Sequence, residues 1–145
     1  MQIELLDKNC LPLYKNDGDA CMDCRSRVDV EWQWEGGMKV AYVPLGFKVK
    51  VPRGYALKLY SRSGHGWKDN ITLANSVGII DSGYREEVQA KLIQHSVNIE
   101  SPSKVNQYDR ICQMALVEVP TIYLDVVDEL DTTTRGGGFG SSGVK

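Results

Sequence analysis

The chain has 145 residues, of which 42% are hydrophobic and 25% charged, and its formal net charge is −2. This length predicts one domain that can bury a core of its own. Because there is no basic surplus, the charge argues against a general role in binding duplex nucleic acid. A small anionic ligand needs only a few local cations and backbone N–H groups, so it stays compatible with this composition.

The first residues, MQIELLDKNC, do not have the basic and apolar regions of a signal peptide. No stretch approaches the roughly 20 apolar residues of a membrane helix. These features predict a cytoplasmic protein without membrane contact, in which cysteine thiols are reduced. Cys21 and Cys24 have the spacing of a zinc or redox pair, but a structural zinc site needs four ligands. We interpret them as half-buried residues that flank Asp23.

Alternation of apolar and polar residues dominates the chain and predicts strands with one buried face. The predicted strands cover residues 28–34, 47–51, 55–59, 88–92, 111–119 and 121–127. In the first of these, Trp32 and Trp34 are expected to face the core. Turn residues separate the strands, and only 63–69 suggests a short helix. Many short strands at this spacing predict an all-β fold, as a sandwich, jelly roll or barrel.

Two polar stretches follow predicted strands directly. Arg62, Ser63 and Gly64 offer a guanidinium, a hydroxyl and an open backbone, which suit phosphate oxygens, although an ordinary turn has the same composition. Asp81 follows the apolar run Gly78–Ile80, where it could act as a general base or open a turn through its side chain.

Five polar stretches, taken in order, resemble the motifs of the trimeric dUTPase family, the dUTP pyrophosphatases. They are 20–24 (ACMDC), 62–64 (RSG), 75–84 (NSVGIIDSGY), 110–113 (RICQ) and 135–143 (RGGGFGSSG). The resemblance covers nearly the whole chain. It implies a jelly-roll-like β-barrel over residues 1–131, followed by a flexible glycine-rich C-terminal arm, 132–145, that closes over the active site.

The resemblance also implies a role for each motif. Asp23 would lie near the metal through water, and Asp81 would orient the water that attacks the substrate. The substrate-binding residues of the globular part would be Arg62, Ser63 and Gly64 for phosphates, Asn75, Gly78 and Ile80 for uracil, Tyr84 for the deoxyribose, and Gln113 for a phosphate. Arg110 would be structural and paired with a carboxylate.

The arm would contribute Arg135 at the γ-phosphate, Phe139 stacked on uracil, and contacts from Gly140 and Ser141. The chain departs from the family pattern in four places. Cys21, Cys24 and Glu86 replace the usual residues, and the arm has one residue fewer between Arg135 and Phe139.

The implied reaction is hydrolysis of dUTP to dUMP and pyrophosphate with Mg²⁺, which lowers dUTP and supplies dUMP for thymidylate synthesis. The implied assembly is a homotrimer whose active sites are shared between subunits, with no nucleic-acid or membrane partner.

Three alternatives remain at this point. A dCTP deaminase of the same fold would place a catalytic glutamate where this chain has Lys91. A nucleotide-gated regulator could use the segment 27–39 as a partner surface. A zinc module at Cys21 and Cys24 would bind stoichiometric metal.

Overall fold

A computed structural model describes residues 1–95 and 104–134 of the chain. In chain order the elements are β1 (Gln2–Leu5), a 3-10 helix (Lys8–Cys10), β2 (Met22–Arg25), β3 (Gln33–Glu35), β4 (Met38–Pro44), β5 (Phe47–Lys50), β6 (Tyr55–Ser61), α1 (Ser63–Asp69), β7 (Ile71–Leu73), β8 (Val77–Ile80), β9 (Gln89–Gln94) and β10 (Arg110–Glu118). Helix α1 confirms the helix expected near 63–69. None of the helices in the described ranges is long and apolar enough to span a bilayer.

The strands form three antiparallel sheets. Their strand orders are β1-β5, β2-β10-β6-β8 and β3-β4-β9-β7. The all-β prediction is confirmed, and the arrangement is jelly-roll-like. The predicted barrel needs one correction, because the described strands form separate sheets and not one closed ring.

A single core joins residues from both four-stranded sheets. Leu57 and Leu59 of β6 and Leu92 of β9 are almost completely buried, and Phe47 of β5 packs in the same cluster. Each such side chain contributes about 1.5–3 kcal/mol relative to an exposed one. Alternation along these strands therefore gives one face to the core and leaves the other to carry polar side chains.

The strand predicted at 28–34 is mostly wrong, because only Gln33–Glu35 forms a strand. Upstream of it, Val30 N–H donates to the carbonyl of Val105 in a loop contact. Trp32 packs partly buried against the core, whereas Trp34 is 64% exposed. The core position expected for Trp34 is also wrong, since β3 lies at the edge of its sheet and Trp34 pairs there with Lys39.

The strand predicted at 121–127 is wrong as well. This segment forms no ladder with the described residues, and Ile122, Tyr123 and Leu124 are 80–89% exposed. The edge strands of the two four-stranded sheets, which are β2, β8, β3 and β7, therefore do not pair with this segment in the same chain. An alternating sequence becomes a strand only where a neighbouring edge accepts its hydrogen bonds.

Candidate functional site

The first candidate pocket lies where β6 ends and α1 begins, and its volume is about 410 Å³. Its lining is polar and comes from three of the motifs and the loop before β2. The lining residues are Lys15, Asn16, Asp19, Ala20, Cys21, Asp23, Arg62, Ser63, Gly64, Arg110 and Gln113. The structure therefore brings Asp23, the Arg62–Gly64 stretch and Gln113 together, as the sequence predicted.

Strand pairing explains this convergence. In the β2–β10 ladder, Asp23 is the register partner of Gln113, and β10 also pairs with β6, which leads into Arg62. The β2–β10 ladder is irregular between Arg110 and Cys112. Gln113 donates from Nε2 to the carbonyl of Ser61 at 3.2 Å. Three segments far apart in sequence thus meet at one end of a single sheet.

The carboxylate of Asp23 is the centre of this pocket. Arg62 donates from Nε to Oδ1 and Arg110 from Nη1 to Oδ2, each over 2.8 Å. Arg62 also donates from Nη1 to the carbonyl of Arg110 at 2.9 Å. The predicted carboxylate partner of Arg110 is therefore found. Two guanidinium groups around one carboxylate leave a local positive charge that suits an anion.

His65, which the sequence analysis missed, does not line this pocket but contacts Arg110, which does. Its Nε2 lies 2.9 Å from the carbonyl of Arg110, and its Nδ1 lies 2.9 Å from Oδ2 of Asp69. Since a carbonyl oxygen only accepts, Nε2 carries the hydrogen of the first bond. The spacing of His65 and Asp69, four residues apart in a predicted helix, was the available signal. His65 thus fixes α1 against the start of β10.

The second candidate pocket, of about 430 Å³, lies beside β8, β9 and the turn that joins β7 to β8. Its lining is mostly apolar and comprises Tyr42, Leu59, Leu73, Ala74, Asn75, Gly78, Ile79, Ile80, Gln89, Ala90 and Lys91. Three predicted residues, Asn75, Gly78 and Ile80, line it together. A Cβ atom on Gly78 would lie 3.1 Å from Cβ of Leu59, so glycine permits the close approach of β8 to β6.

Asp81 and Tyr84 follow β8 and line neither pocket. Asp81 is exposed, and its carbonyl accepts from Tyr84 N–H at 3.1 Å. The hydroxyl of Tyr84 donates to the carbonyl of Glu87 at 2.8 Å. Glu87 in turn binds Arg27 at 2.8 Å and accepts from Gly46 N–H at 2.9 Å. This chain of contacts holds the ring of Tyr84 against the core.

A charged cluster at the second pocket was also missed. Lys91 donates from Nζ to Glu35 at 2.9 Å, and its ammonium lies 4.8 Å from the centre of the Tyr42 ring. Hydrogen bonds from Lys91 and then Tyr42 lower the pKa of Glu35. Hydrogen bonds with Tyr42 and Glu35 raise the pKa of Lys91. No short motif contains these residues, since Glu35 and Lys91 are 56 positions apart.

The cysteine pair occupies two different environments. Cys24 is fully buried and is the register partner of Cys112, and a hydrogen bond with Cys112 together with burial raises the pKa of Cys24. Cys21 lines the first pocket, where burial and then Asp23 raise its pKa. The expectation that both are half-buried therefore holds only for Cys21. Both raised pKa values favour the protonated thiol in this structure.

The remaining predicted site residues, Arg135, Phe139, Gly140 and Ser141, lie outside the described residues.

The side chains of the first pocket fit a magnesium ion that is held mainly by water and by substrate oxygens. In residues 1–95 and 104–134 no three His, Cys, Asp or Glu side chains are grouped as metal ligands. Asp19 and Asp23 both line the pocket, and each oxygen of Asp23 already accepts from an arginine. Mg²⁺ retains several waters and takes oxygens from substrate phosphates. The residues present therefore fit a magnesium ion that arrives with a polyphosphate.

Comparison with known proteins agrees with this fold. The dUTPase family model matches residues 7–143, and the chain therefore belongs to the dUTPase family. Among its relatives, the deoxyuridine 5'-triphosphate nucleotidohydrolase of Alkaliphilus metalliredigens is 39% identical over 136 residues, covering 93% of this chain and 90% of that protein. The enzyme of the same name from Rhizobium rhizogenes is 38% identical and covers 92% of this chain and 85% of its own length.

Solved structures give the same result. A variant of the dUTPase of phage 80alpha is 27% identical, with a TM-score of 0.79 and 97% of each chain covered. Another 80alpha variant, solved with dUpNHpp, is 26% identical, has a TM-score of 0.77 and covers 99% of this chain and 98% of its own. The dUTPase of phage phi11 of S. aureus, described with a structural Mg(II) ion, is 22% identical at a TM-score of 0.76 and supports the fold alone.

Proposed function

We propose that this chain is a dUTP diphosphatase that hydrolyses dUTP to dUMP and pyrophosphate, thereby lowering dUTP and supplying dUMP for thymidylate synthesis. The observation that carries the proposal is a pair of complementary pockets in a member of the dUTPase family. One pocket is polar, with two arginines held at Asp23, and the other is mostly apolar and bordered by β8 and the turn before it. A triphosphate suits the first and a pyrimidine base suits the second.

In the first pocket, Arg62, Ser63, Gly64 and Gln113 would bind the phosphates. Nε and Nη1 of Arg62 are taken by Asp23 and the Arg110 carbonyl, so these bonds fix the plane of the guanidinium. Ser63 and Gly64 are exposed at the start of α1, and nothing lies within 4 Å of a Cβ placed on Gly64. That open space would let phosphate oxygens approach the backbone.

In the second pocket, Asn75, Gly78 and Ile80 would bind uracil. Backbone N–H and C=O groups are fixed donors and acceptors and can therefore read the edge of a base. Tyr84, held by its bond to the Glu87 carbonyl, would lie under the deoxyribose and exclude a 2′-hydroxyl. The apolar floor formed by Leu59 and Leu73 would cover the rest of the base.

Asp81 would orient and deprotonate the attacking water. The water oxygen bonds to the α-phosphorus as the bond to the bridging oxygen of the β-phosphate breaks, and pyrophosphate leaves with that oxygen. Magnesium, when bound with the triphosphate, neutralises charge on the phosphate oxygens. Asp23 would contact it through water, since each carboxylate oxygen has a second lone pair beyond the bond to its arginine.

We further propose that the active form is a homotrimer with sites shared between subunits. Asp81 lines neither pocket of its own chain, which supports its acting at the phosphate pocket of a neighbour. The segment 122–130 supports association, because its apolar side chains are mostly exposed and such surfaces usually mark interfaces. The arm, 132–145, would close the site with Arg135, Phe139, Gly140 and Ser141.

A cytoplasmic location is proposed on the state of the cysteines. Cys24 and Cys112 are adjacent in register, yet both are free thiols. Adjacent free thiols are typical of a reducing compartment.

The deaminase alternative is less favoured by the second pocket. A deaminase needs a carboxylate to move protons at the amino group of cytosine, and Lys91 stands at that position. An ammonium held by Glu35 does not accept a proton at neutral pH.

The proposed function is tested by incubating the protein and Mg²⁺ with each deoxynucleoside triphosphate and with UTP in turn. Pyrophosphate release is then measured. Release from dUTP alone is expected, because the base pocket selects uracil and Tyr84 excludes the ribose of UTP. Ammonia release from dCTP, or equal hydrolysis of all substrates, would contradict the proposal.

A further inference from the structure

Lys91 is a charged side chain in the wall of a pocket that is otherwise mostly apolar. It lies on β9, where Ala90 and Leu92 on either side of it are buried in the core. Its own side chain therefore points to the opposite face of the sheet, where it remains 34% exposed. A lysine in this position costs desolvation unless its ammonium has partners.

Two neighbours hold the ammonium in place. Glu35 accepts from Nζ at 2.9 Å, and the face of the Tyr42 ring lies 4.8 Å away. Tyr42 also donates from its hydroxyl to the second oxygen of Glu35 at 2.9 Å. The three side chains form a closed triangle, and Tyr42 and Lys91 are register partners on adjacent strands. A lysine restrained in this way has far fewer orientations than a free surface lysine.

The ammonium also keeps its proton. Hydrogen bonds with Tyr42 and Glu35 raise the pKa of Lys91, so the group is a donor at any pH near neutrality. An ammonium has three N–H bonds and no acceptor. Glu35 takes one of these bonds and the Tyr42 ring lies beside the ammonium, so at least one N–H bond has no acceptor among the described contacts.

We propose that Lys91 is a specificity-determining residue that donates a hydrogen bond to the 4-oxygen of the base, with Glu35 and Tyr42 as its positioning residues. This inference rests on the proposed function, since it assigns the second pocket to the base. A donor-only group favours uracil, whose C4 substituent is a carbonyl oxygen. It disfavours cytosine, whose C4 substituent is an amino group that also donates.

The test compares Lys91→Met with Lys48→Met. Lys48 is a matched control, because it also lies on a strand, is also 34% exposed and also faces a glutamate, Glu4, at 3.9 Å. The measurements are kcat/KM for dUTP and the inhibition constant of dCTP. Lys91→Met is expected to lower kcat/KM for dUTP by about tenfold, the value of one hydrogen bond to a charged group. Inhibition by dCTP is expected to stay unchanged or to strengthen, and Lys48→Met is expected to change neither value.

The positioning role is tested with Glu35→Gln. This variant is expected to lower discrimination between dUTP and dCTP by less than Lys91→Met does. It should have no further effect when combined with Lys91→Met, because both substitutions remove the same restrained donor. Additive losses would contradict the positioning role.

A purely structural role of Lys91 predicts a different pattern. Lys91→Met would then weaken the binding of dUTP and of dCTP equally, and that result would overturn the inference.

A second measurement uses a ligand that lacks the proposed acceptor. A 2-pyrimidinone deoxynucleotide has no 4-oxygen. Lys91→Met is expected to weaken binding of dUMP but not of this analogue. If the wild-type protein releases no pyrophosphate from dUTP, the proposed function fails. In that case the role of Lys91 is tested by calorimetry, which compares the binding of dUMP and of the analogue to wild type and to Lys91→Met.

Discussion

Arg110 donates to Oδ2 of Asp23 over 2.8 Å, although the two residues are 87 positions apart in the chain. Arg62 binds the other oxygen of the same carboxylate, so one aspartate fixes two cations at the first pocket. The Asp23 side chain is only 15% exposed. A partly buried ion triad of this kind positions charge more than it adds stability, because desolvation offsets much of the attraction.

Replacement of Asp23 by asparagine is expected to destabilise the fold by about 1–3 kcal/mol, because both arginines lose a charged acceptor in a partly desolvated site. The measurement is the free energy of unfolding in urea. Asp19→Asn is the control, since Asp19 lines the same pocket but accepts from the exposed Asn16 and not from an arginine. Equal effects of the two substitutions would show that the arginine pairing contributes no stability.

Gly78→Ala is expected to destabilise the protein by about 1–3 kcal/mol through overpacking. The new Cβ would lie 3.1 Å from Cβ of Leu59, in the floor of the second pocket. Gly83→Ala is the matched control, since no atom lies within 4 Å of its Cβ. Thermal unfolding of the two variants measures the difference, and a Gly78→Ala protein as stable as wild type would contradict the close contact.

Acid should weaken the contribution of Glu35 to stability. Because its pKa is lowered in the folded protein from the ordinary value of 4.5, this contribution is present above that value and is lost as the pH falls through the folded pKa. The difference in free energy of unfolding between wild type and Glu35→Gln should therefore shrink between about pH 6 and pH 3. A difference that stays constant over this range would mean that the carboxylate charge is not involved.

Strands with one buried face were predictable, because an alternating sequence and the buried–exposed alternation of a sheet have the same period. The segment 47–51 and the strand Tyr55–Ser61 follow this rule. The segment 121–127 has the same alternation yet forms no strand with the described residues. Whether such a segment pairs with an edge strand depends on where the fold places it relative to that edge, which the segment's own sequence does not encode.

The motif residues around the two pockets were predictable from their order along the chain. The contacts that orient them were not. Asp23 meets Arg110, and Glu35 meets Lys91, only through the register of strands that are distant in sequence. His65 was the exception that local spacing could have revealed, since it and Asp69 lie one helical turn apart.

Replacement of Ile122 and Leu124 by aspartate is expected to dissociate the proposed trimer, because charges would enter an apolar interface. These side chains are 80% and 86% exposed in the single chain, so the fold itself should remain intact. Sedimentation velocity gives the assembly state, and circular dichroism verifies the fold. Trp34→Asp is the control, since Trp34 is an exposed apolar residue outside this segment. A double variant that stays trimeric would exclude the segment from the interface.

The central claim is that the base pocket and Asp81 of one chain act with the phosphate pocket of another. Subunit complementation tests it most directly. Asp81→Asn and Gln113→Ala are each expected to be nearly inactive as pure proteins. When the two are unfolded and refolded together in equal amounts, each mixed trimer should contain one site that combines an intact Asp81 with an intact Gln113, which is about a quarter of all sites in the sample. Recovery of dUTP hydrolysis to about that fraction is the predicted result. Mixed trimers, verified by two affinity tags, that remain as inactive as the pure variants would contradict a site shared between subunits.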